Sequence, residues 1–398
     1  MAVGLMAFCL GAATAGRAAS PGTATPAGLK RFLAELRPLA ERQGITDELF
    51  DATFASMTPD PSVAGPVRSQ PEFNRPLGAY LAQQVTPGRV AAGQALRQRW
   101  AQDLAAIEHR FGVPPEIVVA VWGLESNYGA SSGNKDVIRC LATLASIGYR
   151  PDLYRSELLT ALRLLQSGAV SRQSLRGSWA GAMGQPQFMP SSFESYAADG
   201  DGDGRRDIWT SVPDTLASIA SFLQAKGWQA GRSWGFEVRV PAGFDYRTSR
   251  AANTRWASLG LARADGGPMP VEGDGTLFFP AGAAGPGFLV TENYEILKTY
   301  NFSDAYVLSV AGLADQMGGG SPIQANWPLD PPMTRDDRIA LQTRLVTLGY
   351  TVDNHEGRIS LALRDTIRAA QADVGLLPDG NPTLALLQAL RTRPAPEK

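Results

Sequence analysis

Cysteine and histidine are scarce in this chain. Two cysteines, Cys9 and Cys140, and two histidines, His109 and His355, occur in 398 residues. These counts exclude a disulfide framework, a cysteine-rich zinc site and a histidine cluster for zinc. A Ser–His–Asp triad would have to recruit one of two histidines that sit in no supporting motif. Excess charge is missing too, since 37 Lys and Arg against 38 Asp and Glu leave a net −1. Nucleic acid, whose phosphates call for clustered cations, is therefore not an expected partner. No run reaches the roughly 20 apolar residues of a membrane-spanning helix. Charged residues make up 19%, below the roughly 25% usual for soluble domains. The 42 glycines and 28 prolines fall short of the composition of a low-complexity or collagen-like chain and are too many for a coiled coil. At roughly 100–200 residues per domain, the length implies two or three domains.

What is present begins with an export signal. Residues 1–15, MAVGLMAFCLGAATA, are apolar and small, and Arg17, Ala18, Ala19 and Ser20 follow. Residues 1–19 read as a signal peptide, without a basic leading region, and imply a periplasmic protein. A lipid anchor is not expected, because bulky Phe8 precedes Cys9 where a small residue belongs. Residues 20–28 read as a flexible leader of small residues and proline.

Apolar residues at three-and-four spacing mark helices in LKRFLAELRPLAERQGI (29–45) and RVAAGQALRQRWAQDLAAIEHRFG (89–112). Between about 230 and 290 the runs FEVRVP, TLFFP and GFLVT suggest a small strand-bearing insertion. Residues 318–333 have the Gly- and Pro-rich composition of a linker, and helical periodicity returns in a separate module over 334–392. The expected fold is mainly α, with a catalytic domain over 29–317.

Residues 113–129, VPPEIVVAVWGLESNYG, hold the most telling carboxylate. Pro114 and Pro115 suit a helix start, and Ile117–Leu124 are apolar on every face apart from Gly123. Glu125 ends that run, with Gly129 a helix stop. Burial and the negative end of the helix dipole both favour the neutral acid, which a glycosidic general acid requires. In 177–193, GSWAGAMGQPQFMPSSF, small residues permit close backbone approach. Ser178, Gln185, Gln187, Ser191 and Ser192 there offer neutral hydrogen-bonding groups suited to a sugar. In AADGDGDGRRDIW (197–209), Asp199, Asp201, Asp203 and Asp207 take positions 1, 3, 5 and 9 of an EF-hand-like pattern. Gly204 holds position 6, and Arg205 at position 7 offers its carbonyl. Position 12 is Thr210 rather than the usual Glu. A structural Ca²⁺ is expected there, with no acid–base role.

The order ES-x-YG (125–129), GSWAGAMGQPQFMPSSFESYA (177–197) and KTYNFSDAY (298–306) resembles the lytic murein transglycosylase B family. The resemblance implies a lysozyme-like α domain with a small mixed lobe, and cleavage of the MurNAc–GlcNAc bond of peptidoglycan to give 1,6-anhydro-MurNAc. It places the catalytic acid on Glu125 and substrate contacts on Tyr80, Ser178, Gln187, Tyr300 and Asn301. An aromatic contact of that family would fall on Leu153, with Tyr154 its neighbour. The family's calcium loop adds Asp214 to Asp199, Asp201, Asp203 and Arg205. No cofactor is implied for the chemistry. Glycan strands are the implied partner, with other cell-wall enzymes as further candidates. Residues 335–391, with an LQ-x-x-L start (341–345), a Gly-Tyr turn and GL-x-x-DG (375–380), resemble peptidoglycan-binding domain 1, a three-helix module. Two rival readings are a hydrolytic muramidase using the same acid and a non-catalytic wall-binding scaffold.

Overall fold

The computed structural model describes residues 22–63 and 75–394, so the expected signal peptide and Cys9 lie outside the described residues. In chain order the helices are α1 (Pro26–Arg42), α2 (Asp47–Phe54), α3 (Leu77–Gln84), α4 (Pro87–Arg99), α5 (Ala101–Phe111), α6 (Pro115–Ser126), α7 (Val137–Ser146), α8 (Pro151–Gln166), α9 (Pro190–Tyr196) and α10 (Val212–Ala225). They continue with α11 (Asn253–Ser258), α12 (Glu292–Tyr300), α13 (Asp304–Met317), α14 (Arg335–Thr347), α15 (Leu361–Asp373) and α16 (Leu384–Arg391). The strands are β1 (Lys135–Asp136), β2 (Arg176–Gly177), β3 (Gly235–Arg239), β4 (Arg250–Ala252), β5 (Ala262–Arg263), β6 (Asp274–Phe278) and β7 (Gly287–Val290). Among the described residues, one compact unit gathers those up to 63, Ala91–Ala230 and Thr299–Asn301. The other gathers 75–90, Gly231–Lys298 and those from Phe302 onward. No described helix is long and apolar enough to cross a membrane.

Three boundaries differ from the sequence reading. The leader expected to reach residue 28 ends at Thr25, whose hydroxyl accepts the Gly28 N–H at 3.1 Å and caps α1, with Pro26 in the first turn. The helical spacing over 89–112 is interrupted at Trp100, and the helix that follows stops at Gly112 in the left-handed region (φ 69°). Helix α6 ends at Asn127, not at Gly129.

The first unit centres on α6, whose residues Ile117–Ser126 are all buried. Helix α7 packs on α8, α8 on α9, and α10 on α5 and α6. In the second unit an antiparallel sheet runs in the order β4-β6-β7-β3-β5. The three runs anticipated as strands are its centre, β6-β7-β3, with Phe236 opposite Leu289 and Phe278 opposite Phe288. The edges β4 and β5 are two or three residues long and carry no apolar alternation that a sequence would reveal. Trp256, Leu277, Phe279 and Leu289 form the core on one side of this sheet.

The last three helices close on Leu341, Leu345, Ile367, Leu386 and Leu390. They follow the stretch 318–333 expected as a linker, and both it and they are tied to the rest of the second unit. That stretch has neither helix nor strand, yet Glu237 accepts the Gln324 and Ala325 N–H groups at 2.7 and 2.8 Å. Arg364 donates to the Phe279 carbonyl at 3.3 Å and pairs with Asp304 at 2.9 Å. Arg368 donates to the Leu277 carbonyl at 2.6 Å, and Lys298 bridges Asp304 (2.8 Å) and the Ile359 carbonyl (3.1 Å). Arginines on an amphipathic helix read as a solvated face; here they donate to backbone carbonyls of Phe279 and Leu277 instead.

Burial alone would raise the Asp304 carboxyl, but the Lys298 ammonium and the Arg364 guanidinium outweigh it and hold it well below the usual carboxylate range. A carboxyl so depressed stabilises the fold above its unfolded value near pH 4, and that stability fades as the pH falls. Asp304→Asn is expected to destabilise the protein by about 3–5 kcal/mol at pH 7, the usual consequence of stripping one partner from buried charges. The deficit narrows toward pH 3. Urea unfolding of both proteins at the two pH values checks this, and a deficit unchanged by pH would exclude the ion cluster as its source.

Candidate active site

Glu125 lies in the last turn of α6 and is 2% exposed. The chain then makes an abrupt reversal through three left-handed residues, Asn127 (φ 51°), Tyr128 (φ 58°) and Gly129 (φ 83°). The first two carry side chains, and each costs of order 1–3 kcal/mol in this conformation. Packing and hydrogen bonds hold the reversal in place. The Tyr128 ring meets Trp122 edge-on, with centroids 5.6 Å apart, and folds back over Gly123. A Cβ at Gly123 would come 2.6 Å from that ring, which explains a glycine inside a buried helix. Ser126 Oγ accepts the Gly129 N–H at 3.0 Å, and the Ser131 N–H donates to the Ser126 carbonyl at 2.8 Å.

The second motif encloses the chain that leaves this turn. The Ser178 N–H donates to the Ala182 carbonyl at 2.7 Å, and Ser178 Oγ accepts the Ala182 N–H at 3.1 Å. Met183 and Phe188 exchange backbone hydrogen bonds at 2.7 and 3.0 Å. Close backbone approach is what the small residues serve, and the partner is the protein itself. A Cβ at Gly177 would overlap the Ala182 carbonyl, and one at Gly133 would overlap the Gly177 carbonyl. Gln187 (φ 53°) donates through Nε2 to the Ser132 carbonyl at 2.9 Å and to the Gly184 carbonyl at 2.7 Å. Ser178 and Gln187 therefore flank residues 130–133, directly after the Glu125 turn.

Several residues expected to face a sugar do other work. Tyr300 is 1% exposed, its hydroxyl donates to the Pro186 carbonyl at 2.7 Å, and its ring packs on Phe188 and Phe222. It braces the motif from behind. Tyr154 is fully buried, stacked on Tyr149, so it cannot stand in for an aromatic contact at Leu153. Ser191 is engaged twice by Glu157, at 2.9 Å through its N–H and 2.7 Å through its hydroxyl. Glu157 is buried, which raises its carboxyl, and the two Ser191 bonds oppose that rise in part. The sequence reading missed Glu157, although a carboxylate among apolar residues of α8 and a serine near the start of α9 were there to be paired. Asn301 is half-buried in the first unit, whereas Tyr80 is a buried residue of α3 in the second.

In the acidic loop the carboxylates of Asp199, Asp201 and Asp203 gather so that one oxygen of each lies within 4.8 Å of the others. Gly204 takes the left-handed conformation (φ 85°) that position 6 requires. Asp199 accepts the Gly202 and Gly204 N–H groups at 2.6 and 2.9 Å. Asp214 is fully buried beneath the loop, close enough to Asp201 to feel its charge. Its two oxygens accept the Gly200 and Asp207 N–H groups, both at 2.7 Å. These bonds fasten the loop to the start of α10. Burial raises its carboxyl against those two bonds.

Comparison with known proteins shows the family. The E. coli K12 protein named membrane-bound lytic murein transglycosylase B is 31% identical over 249 residues, which is 59% of this chain and 66% of that protein. SltB3 from Pseudomonas aeruginosa, solved in complex with NAG-anhNAM-pentapeptide, superposes with a TM-score of 0.81 at 46% identity, over 92% of this chain and 99% of its own. The E. coli lytic transglycosylase Slt35 in complex with calcium gives a TM-score of 0.60 at 25% identity, over 74% of this chain and 93% of its own. Residues 334–390 match a putative peptidoglycan binding domain. Residues 28–315 match the transglycosylase SLT domain model, most of the chain and all of the Glu125 site, and the protein belongs to that family.

Proposed function

We propose that the protein is a peptidoglycan lytic transglycosylase that cuts the MurNAc–GlcNAc bond and leaves 1,6-anhydro-MurNAc. The observation that carries this reading is Glu125, buried at the carbonyl end of α6, in a turn enclosed by the 177–188 motif of a transglycosylase-family chain. Burial and the helix terminus both disfavour a charge at this position. Similarity to SltB3 bound to an anhydro-muropeptide supports the same chemistry.

Glu125 protonates the bridging oxygen as the C1–O bond breaks and oxocarbenium character develops on MurNAc. The acetamido carbonyl of that sugar stabilises C1. Ionised Glu125 then takes the proton of the C6 hydroxyl as its oxygen bonds to C1, so the acid is regenerated and no water is consumed. An intramolecular nucleophile benefits from high effective molarity, which serves where a hydrolase would position water with a second carboxylate. Ser178, Gln187 and Asn301 line the glycan path, and the family resemblance gives Tyr80 a substrate contact as well. The substrate places the enzyme in the periplasm, where residues 1–19 direct it, and the C-terminal helices supply a second hold on the wall.

The acidic loop fits a Ca²⁺ ion, held by the carboxylates of Asp199, Asp201 and Asp203 and the Arg205 carbonyl. A related protein was solved with calcium. The ion would neutralise three like charges and stiffen the loop. It takes no part in proton transfer.

Glu125→Gln is expected to lower turnover at least 10²–10⁴-fold, the usual contribution of a general acid, while glycan binding persists. Mass spectrometry of sacculus digests reads the outcome, because anhydro products are one water lighter than reducing ends. Normal release of anhydro-muropeptides by the variant would refute the assignment, and reducing ends from the wild type would make the enzyme a muramidase. Titration calorimetry with Ca²⁺ should show binding heat for the wild type and none for Asp199→Ala. No heat at millimolar ion would defeat the calcium reading.

A further inference from the structure

Gln185 was grouped by sequence with sugar-facing amides, but its polar atoms are turned inward. It is 6% exposed. Its Oε1 accepts the Trp122 indole N–H at 2.8 Å, and its Nε2 donates to the Trp209 carbonyl at 3.1 Å. Its backbone N–H donates to the Ile208 carbonyl at 2.8 Å. One residue thus ties helix α6, a single turn before Glu125, to the segment that closes the acidic loop. Its neighbours press in closely: a Cβ at Gly129 would overlap Gln185 Oε1, and Gly184 (φ 63°) packs against Ile208. Trp209 is anchored in turn, its indole N–H donating to the Arg176 carbonyl at 2.9 Å and its ring packing on Phe193.

Apolar packing does not by itself fix how α6 is rotated. Between Glu116, which pairs with Arg97, and Glu125 the helix is apolar all round, and hydrophobic contact is non-directional. The Trp122–Gln185 hydrogen bond is directional, and it lies three residues before the carboxyl whose aim matters. We infer that Gln185 is a positioning residue: by locking Trp122 to the Ile208–Trp209 backbone it sets the rotation of the last turn of α6 and so the aim of the Glu125 carboxyl. This rests on Glu125 being the acid. Misplacement of a catalytic group by about 1 Å can lower a rate by about 10²-fold, so a lost positioning bond should appear in kcat.

The test uses the purified full chain acting on sacculi. Gln185→Met preserves length and removes both polar ends, and Trp122→Phe removes only the indole donor while retaining a ring. Each should lower kcat about 10- to 100-fold, leave KM within twofold, and leave far-UV circular dichroism unchanged at the assay temperature. The double variant should be no slower than the worse single variant, because both break the same bond. Gln185→Met with kcat within twofold of wild type would overturn the inference, as would losses that multiply in the double variant. If Gln185→Met does not fold, Trp122→Phe decides by the same kcat criterion. Glu125→Gln, run alongside, separates the two readings. An inactive Glu125→Gln with a normal Gln185→Met defeats only the positioning role, and an active Glu125→Gln defeats the acid assignment itself.

Discussion

Keeping Glu125 dry is the constraint around which the first unit is arranged. A carboxyl at 2% exposure needs an apolar surround, and α6 supplies it by being apolar on every face. A helix of that kind has to be covered from all sides, which is why α5 and α10 lie against it and why the chain after Glu125 doubles back instead of running out to water. The reversal is affordable only because Gly123 leaves room for the Tyr128 ring and Ser126 hydrogen-bonds across the turn. The glycine-rich motif, the left-handed residues and the internal tyrosine are separate answers to one problem, the enclosure of an acid without direct burial of its neighbours' polar backbone.

The second unit is held together in another way. Its sheet is short at the edges, and its firmest links to the last three helices are charged. Lys298, Arg364 and Arg368 are buried and donate to the backbone carbonyls of Ile359, Phe279 and Leu277, while Asp304 pairs with Lys298 and Arg364. Buried charges of this kind are weak evidence for stability when compared with apolar packing, but they specify one arrangement, because each misplacement leaves a charge unmatched. Glu237 does the same for the linker by accepting two successive N–H groups.

The parts legible in sequence were those written in pattern. The apolar run before Glu125, the alternate aspartates of 199–203 and the three central strands each declare themselves through spacing. The C-terminal helices showed their periodicity, and the long motif at 177–197 was specific enough to point to the family. The sequence could not disclose long-range pairing. Glu157 with Ser191, Gln185 with Trp122 and Tyr300 with Pro186 are 34, 63 and 114 residues apart. A polar side chain in a motif looks like a ligand contact until its partner is known. The bonds that Asp214 accepts from Gly200 and Asp207 were equally invisible in the sequence. Composition showed that the linker lacks helix and strand, but Gly and Pro say nothing of the bonds that hold it to Glu237.

The docking of the last three helices on the sheet has a mechanical consequence. A domain on a slack string raises local concentration and leaves the attached body free to tumble. Here the string is sewn down at Gln324 and Ala325, and the helices are bolted through Arg364 and Arg368. Any grip these helices take on a wall strand is therefore passed as torque to the sheet, and the second unit meets its polymer at a set bearing, as a vice jaw meets a rod.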